Sequence, residues 1–347
     1  MANTGTIDTR GSDYARLAQR ISEAGLLDRR PVYYAVRMSI AAVVYAGCWA
    51  LFAWLGDSWL QLLVAAALAV VFGQFGFIAH DLGHRQVFRT RRPSDIAGLI
   101  VGNLCIGLGW GWWNSKHNRH HANPNHEDHD PDVSPAVIVW SRDQVARSSG
   151  LPRFIAKYQA FWFFPLLTLE AWHLHVASFR ALLNPAAKRR KLEFALLIVH
   201  FVVYACAVFA VLSPGKAVLF MLVHQGVFGL YLGSTFAPNH KGMPMLTKED
   251  KLDFLRKQVL TSRNVRGGLF IDIALGQLNY QIEHHLFPNM PAPNLRKAQP
   301  IVERYCAEIG VPYLQTGLFE SYGQALGHLH EVGAVLRRPP AQGAAVG

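Results

Sequence analysis

MSIAAVVYAGCWALFAWLGDSWLQLLVAAALAVVFGQFGFIA, residues 38–79, consists of two apolar runs parted by Gly56-Asp57-Ser58 and followed at once by His80-Asp81-Leu82-Gly83-His84. A bilayer crossing takes about 20 helical residues at roughly 1.5 Å of rise each, and each run is close to that length. The pattern recurs at 194–212 and 217–237, parted by Ser213-Pro214-Gly215. The expected fold is therefore an all-α integral membrane protein with four transmembrane helices, at about 38–55, 59–79, 194–212 and 217–237, in two hairpins.

Composition agrees with one membrane domain. Of 347 residues 51% are hydrophobic and 16% charged. A net charge of +11 raises nucleic-acid binding as an alternative, but the placement of the charges accounts for it. If the N-terminus is cytosolic, all 34 Lys and Arg except Lys216 fall on the cytosolic side, the positive-inside pattern. No nucleic-acid partner is expected. The first thirty residues lack the apolar core of a cleavable signal, so insertion is expected to use the spans themselves. Cys48, Cys105, Cys206 and Cys306 are far apart and suggest neither a disulfide framework nor a CxxC site.

Two further apolar stretches are expected to lie at the interface or to re-enter. Residues 96–113 are rich in Gly and end in Trp110, Trp112 and Trp113, whereas 158–169 are too short to cross and are interrupted by Pro165. Residues 12–29 place Leu17, Ile21 and Leu26 on one helical face, either a surface helix or a solvated lead-in. The tail from Arg337 is small and Pro-rich and is expected to be disordered. The resulting division is an N-terminal cytosolic or interfacial segment 1–34, a membrane domain 35–310 and a C-terminal cytosolic tail 311–347.

Three histidine clusters carry the chemistry. They are His80-Asp81-Leu82-Gly83-His84, His117-Asn118-Arg119-His120-His121 and Gln281-Ile282-Glu283-His284-His285. Residues three and four apart share a helix face, so each cluster aims its imidazoles, or the Gln281 amide, in one direction. Imidazole binds zinc, copper and iron. Zinc usually takes three or four protein ligands, and seven histidines exceed that, which favours two metal ions. By the hairpin topology all three clusters gather in a histidine-rich helical cap on the cytosolic side. An apolar bundle beside such a centre suits a lipid-like substrate with an unactivated C–H bond.

The set HDLGH, HNRHH and QIEHHLFP resembles the three histidine boxes of membrane fatty-acid desaturases, in their HxxxH, HxxHH and QxxHH form. The resemblance runs from about residue 35 to about 310, and includes the strings His120 to Asn125 and Leu278 to Pro288. It implies His80, His84, His117, His120, His121, His284 and His285 as metal ligands. It adds His240, in Pro238-Asn239-His240 just after the fourth span, as an eighth. Asn239 is then a direct or water-bridged contributor. Gln281 either ligates weakly through its amide oxygen or organises the surroundings. Ligating histidines need acceptors for the outer ring N–H. Asp81, Glu283 and the run Glu127, Asp128, Asp130 and Asp132 are the candidates, with ordinary solvated charge as the alternative.

The resemblance further implies two iron ions, dioxygen as co-substrate and electrons ultimately from NAD(P)H. The implied substrate is a long-chain acyl-CoA or acyl-lipid, which loses two hydrogens to leave a double bond and water. Many QxxHH members carry a fused haem domain marked by HPGG. This chain has no HPGG, so a separate ferredoxin or cytochrome-type carrier with a flavoprotein reductase is expected to deliver the electrons. The implied location is a multi-pass membrane protein, in the inner or plasma membrane if the source is bacterial. Rivals are a hydroxylase or monooxygenase on the same scaffold and a membrane metal-binding or transport protein.

The remaining histidines are expected elsewhere. His126 and His129 lie in a Pro- and Asp-rich loop. His200 and His224, inside spans, are expected to make interhelical hydrogen bonds. His173 and His175 are placed at headgroup level, and His328 and His330 on the surface. An interfacial belt accounts for Trp110, Trp112, Trp113, Trp162 and Phe163 more simply than a tunnel lining does.

Overall fold

The computed structural model describes residues 12–135 and 137–337. The tail from 338 to 347 therefore lies outside the described residues. Helix α1 (Asp13–Glu23) is opened by Ser12, whose Oγ accepts from the Ala15 N–H. The first hairpin is α2 (Pro31–Leu55) and α3 (Gln61–Gly83). Helix α4 (Arg91–Gly98) runs on through a π-helical turn, Leu99–Cys105, and α5 (Trp110–Ala122) leaves it at a bend of 111°. Then come α6 (Arg142–Arg147), α7 (Gly150–Ala156), α8 (Gln159–Leu167) and α9 (Glu170–Ala181). The second hairpin is α10 (Arg190–Val211) and α11 (Pro214–His240). Five helices follow it: α12 (Phe254–Leu260), α13 (Leu269–Ala274), α14 (Gln281–Leu286), α15 (Ala292–Glu308) and α16 (Leu318–Ala334). Strands β1 (Asn264–Val265) and β2 (Gln315–Thr316) pair in parallel between α12 and α16.

Among the described residues, α2, α3, α10 and α11 are the four helices long and apolar enough to cross a membrane. Their outward faces are apolar too: Val32, Val36, Ile40 and Val43 on α2, and Val199, Val202 and Val203 on α10, are exposed. Continuous apolar surface of this kind is stable against lipid and not against water. The inner faces meet around Leu68, Phe72, Phe220 and Phe228. The two hairpin breaks touch, because Asp57 Oδ1 accepts from the Ser213 N–H and Oγ, and Lys216 pairs with Asp57. Both breaks therefore lie at one end of the bundle.

The helices extend beyond the apolar runs at the opposite end. α2 begins at Pro31 instead of near 38, α3 continues to Gly83 and α11 to His240. Hydropathy stops at the last apolar residue, but the i to i−4 backbone bonds continue into the polar residues that follow. This extension carries His80 and His240 on rigid helix.

The stretch 96–113 divides at the bend of 111° into two helices. The turn depends on Gly107, whose φ is +69° and where a Cβ would lie 2.7 Å from His200 Nε2. α1 is more than a lead-in. Leu17, Ile21 and Leu26 are buried against Leu295, Ala298 and Val302 of α15, because the two helices face each other with matching apolar stripes.

Candidate metal centre

Three helices and one helix end bring the histidine clusters together. His80 and His84 stand at the end of α3, His117, His120 and His121 on α5, His240 on the last turn of α11, and His284 and His285 on α14. They fall into two groups whose nearest ring nitrogens lie within 4.8 Å of one another: His80, His84, His117, His121 and His284 in one, and His120, His240 and His285 in the other. In the larger group the Nε2 atoms face each other. The separations are 3.1 Å for His80–His284, 2.8 Å for His84–His117, 3.1 Å for His117–His121 and 3.1 Å for His121–His284.

Such contacts have a simple cause. Two nitrogens bound at right angles to one ion at about 2.1 Å are about 3 Å apart. The outer nitrogens confirm the orientation of the rings. His120 Nδ1 donates to Asp130 Oδ2 at 2.9 Å, His240 Nδ1 to the Thr261 carbonyl at 3.0 Å, and His285 Nδ1 to Gln258 Oε1 at 2.9 Å. His80 Nδ1 lies 3.3 Å from Asp81 Oδ1, and Arg37 donates to the other oxygen of Asp81 at 2.6 Å. With Nδ1–H committed outward, Nε2 keeps its lone pair for a metal. His285 Nε2 is buried and has no protein partner. Burial, and then the neighbouring imidazoles, hold His117, His121, His284 and His285 well below the ordinary histidine range, so these rings are neutral. The donor set fits a metal centre.

The polar candidates separate on inspection. Asp81 and Asp130 support ligand histidines, and Asp132 Oδ2 lies 3.5 Å from His120 Nδ1 while also pairing with Lys116. Glu283 faces away, accepting from Asn264 Nδ2 at 2.7 Å and Tyr313 OH at 2.8 Å, and burial pushes its carboxyl up to about 7. Glu127 pairs with Arg147 and accepts from Ser141. The Asp128 N–H donates to His126 Nδ1 within the loop. Gln281 Nε2 lies 2.9 Å from His240 Nε2, and Gln281 Oε1 accepts from Asn239 Nδ2 at 3.1 Å. Asn239 Oδ1 is buried with no partner. Gln258 and Thr261 of the α12 region were not anticipated, since a neutral amide and a backbone carbonyl leave no sequence signature.

Arg263 was also missed. It is fully buried and donates to the carbonyls of Pro238 at 2.9 Å and Lys241 at 2.9 Å, and to Gln324 Oε1 at 2.5 Å. The Ser321 hydroxyl donates to the Pro238 carbonyl as well, at 2.6 Å. A cation on the last carbonyls of a helix complements its dipole. Here that contact fixes the turn bearing His240.

A cavity of about 700 Å³ reaches the centre, lined by His80, His117, His120, His240 and Gln281 at the polar end and by Gly76, Leu108 and Leu232 deeper in the bundle. Trp110, Trp112, Trp113 and Phe163 line it too, and the Trp113 ring stacks on His117 at 4.6 Å. The interfacial-belt reading therefore fails for these four, whereas Trp162 is exposed and lies outside the lining. Hydropathy does not distinguish an aromatic facing lipid from one facing a lipid-shaped cavity. His175, expected at headgroup level, is buried, held between the Gly107 carbonyl and Gln225 Oε1, while His173 lines the cavity beside Glu170. The bend at Gly107 brings its carbonyl to His175, a contact that hydropathy cannot register. His328 is half-buried on the Trp140 carbonyl instead of lying free on the surface, because α16 packs there.

The family model for fatty acid desaturase matches residues 57–317. An acyl-lipid (9-3)-desaturase of Physcomitrium patens is 31% identical over 92% of this chain and 62% of its own length. A Delta(6)-fatty-acid desaturase of Caenorhabditis elegans is 28% identical over 91% of this chain and 74% of its own. Fatty acid desaturase 3 of Bos taurus is 30% identical over 87% and 68%. The chain thus spans under two thirds of the length of the Physcomitrium patens protein. With the family model matching α3, the second hairpin and all three histidine clusters, the chain belongs to the fatty acid desaturase family.

Proposed function

We propose that this protein is an oxygen-dependent fatty-acid desaturase with two irons, one held by His80, His84, His117, His121 and His284 and the other by His120, His240 and His285. The observation that carries this reading is the division of eight imidazoles into two convergent groups. Five imidazoles exceed the four-coordinate habit of structural zinc. Three imidazoles leave coordination positions for oxygen ligands, and Asn239 Oδ1, buried without a partner, and the Gln281 amide beside His240 are the side chains proposed to complete the smaller group. When bound, the irons supply the two-electron activation of dioxygen that acid, base or nucleophile cannot provide at an unactivated methylene.

The chain's own part is holding and excluding. Asp81, Asp130, Thr261 and Gln258 fix the ring orientations, and Arg37 balances the buried Asp81. The apolar cavity takes the acyl chain, and its walls at Gly76, Leu108 and Trp113 keep water from the reacting methylenes. The substrate is a long acyl chain on coenzyme A or a lipid. Electrons come from NAD(P)H through a flavoprotein reductase and a ferredoxin or cytochrome-type carrier. The excess of Lys and Arg at the metal end supports a cytosolic position for that end.

Mass spectrometry of acyl products from cells expressing the protein tests the reaction. Loss of two hydrogens is expected. Gain of one oxygen atom would replace desaturation by hydroxylation.

A further inference from the structure

The segment leading into α14 has an unexpected surface. Leu269, Phe270 and Ile273 of α13 are 77%, 79% and 59% exposed. The backbone of the same helix is tied to the spans. Gln74 Nε2 of α3 donates to the Ile273 carbonyl at 3.1 Å and to Tyr231 OH at 2.9 Å, and Tyr231 OH of α11 donates to the Ala274 carbonyl at 2.7 Å. Just beyond, Gly276 has φ +59° and lies so close to Phe77 that a Cβ would be 2.3 Å from the ring. Gln277 Nε2 then donates to Tyr33 OH in the first turn of α2, at 2.8 Å.

Depth decides what surrounds this helix. Gln74 precedes Gly83, the end of α3, by about 13 Å at 1.5 Å per residue, and Tyr231 precedes His240 by a similar length. The backbone of α13 therefore meets α3 and α11 inside their apolar runs, while Gln277 just beyond it meets the first turn of α2. Ile273 and Ala274 close the helix: the Ile273 carbonyl accepts from the Gly276 N–H at 3.2 Å as well as from Gln74, and the Ala274 carbonyl, at the frayed end, is met by Tyr231 OH. In water such carbonyls need no help, whereas in hydrocarbon each must be satisfied by the protein. Two polar side chains placed on membrane-spanning helices do so.

We propose that α13 is a membrane-embedded, re-entrant helix whose Leu269, Phe270 and Ile273 sit among the acyl chains of the leaflet on the metal-centre side. Its polar face points back into the protein: Asp272 accepts from Asn279 Nδ2 at 3.0 Å and from Tyr280 OH at 3.4 Å, immediately before Gln281 opens α14. The seat in lipid thereby holds the helix that carries His284 and His285 against α3. Residues after Pro238 accordingly do not all lie outside the membrane.

Spin labels test this in the full chain reconstituted in phosphatidylcholine vesicles. Phe270→Cys and, separately, Leu269→Cys are made in a Cys206→Ala background, whose own signal is subtracted. Val43→Cys on α2, 71% exposed, is the lipid reference, and Glu249→Cys, in a polar loop with its side chain 69% exposed, is the water reference. The expected result is an oxygen-to-nickel-chelate collision ratio at 269 and 270 that matches position 43 and is several-fold above position 249. A ratio matching position 249 overturns the proposal. So does a label shielded from both quenchers, which would mean that protein covers the face.

Discussion

The bundle buries two sets of histidines arranged in opposite ways. At the metal centre each imidazole shares a point with its neighbours, and the outer ring nitrogens of His120, His240 and His285 go to acceptors. Deeper in the bundle, His175, His200 and His224 point apart. His175 Nδ1 donates to the Gly107 carbonyl and His200 Nδ1 to the Leu104 carbonyl, both at 2.9 Å, while His224 Nδ1 meets Tyr204 OH at 2.8 Å. His224 and His240 share α11, about 24 Å apart along its axis. Both sets are buried in the protein, so convergence of the free nitrogens, and not burial, is what separates a metal centre from a structural network. His175 and His200 repair backbone: Leu104 and Gly107 lie where the helix breaks, and their carbonyls need donors in an apolar interior.

Substitution should separate the two sets sharply. His285→Ala or His120→Ala is expected to abolish desaturation with membrane insertion intact, read by product analysis and membrane fractionation; retained turnover would undo the ligand assignment. His224→Phe, in contrast, should keep turnover and metal content and cost about 1–3 kcal/mol of stability by stranding Tyr204 OH, read by thermal unfolding in detergent. Loss of metal in that variant would erase the distinction between the sets. Asp130→Asn leaves His120 in place but weakens its outer hydrogen bond, and the expected loss is about 10–100-fold in metal affinity or activity. A smaller effect is expected at Gly76, which lines the cavity with Leu232 Cδ1 3.5 Å from where a Cβ would be. Gly76→Ala should be tolerated and Gly76→Leu should shift products toward shorter acyl chains; an unchanged chain-length profile would place the acyl path elsewhere.

The two sets also differ in how far they could be read from sequence. The helical hairpins and the three clusters were legible because apolar length and i, i+3, i+4 spacing are local properties. The interhelical bonds of His200 and His224 were legible too, since a polar ring inside a span has few other options. His175 was not, because its burial depends on the bend at Gly107. Nor were Arg263, Gln258 and the tryptophans of the cavity, whose roles arise only when α11, α12 and α5 are brought together. Of the acidic residues near the clusters, spacing could not tell Asp130, aimed at His120, from Glu283, aimed at Tyr313.

Counting the metal in protein purified in detergent and loaded anaerobically with ferrous iron tests the two-group centre most directly. Two irons per chain are expected in the wild type and one in His240→Ala, with the five-histidine group still filled. A wild type holding a single iron, or a His240→Ala variant that still holds two, would contradict it.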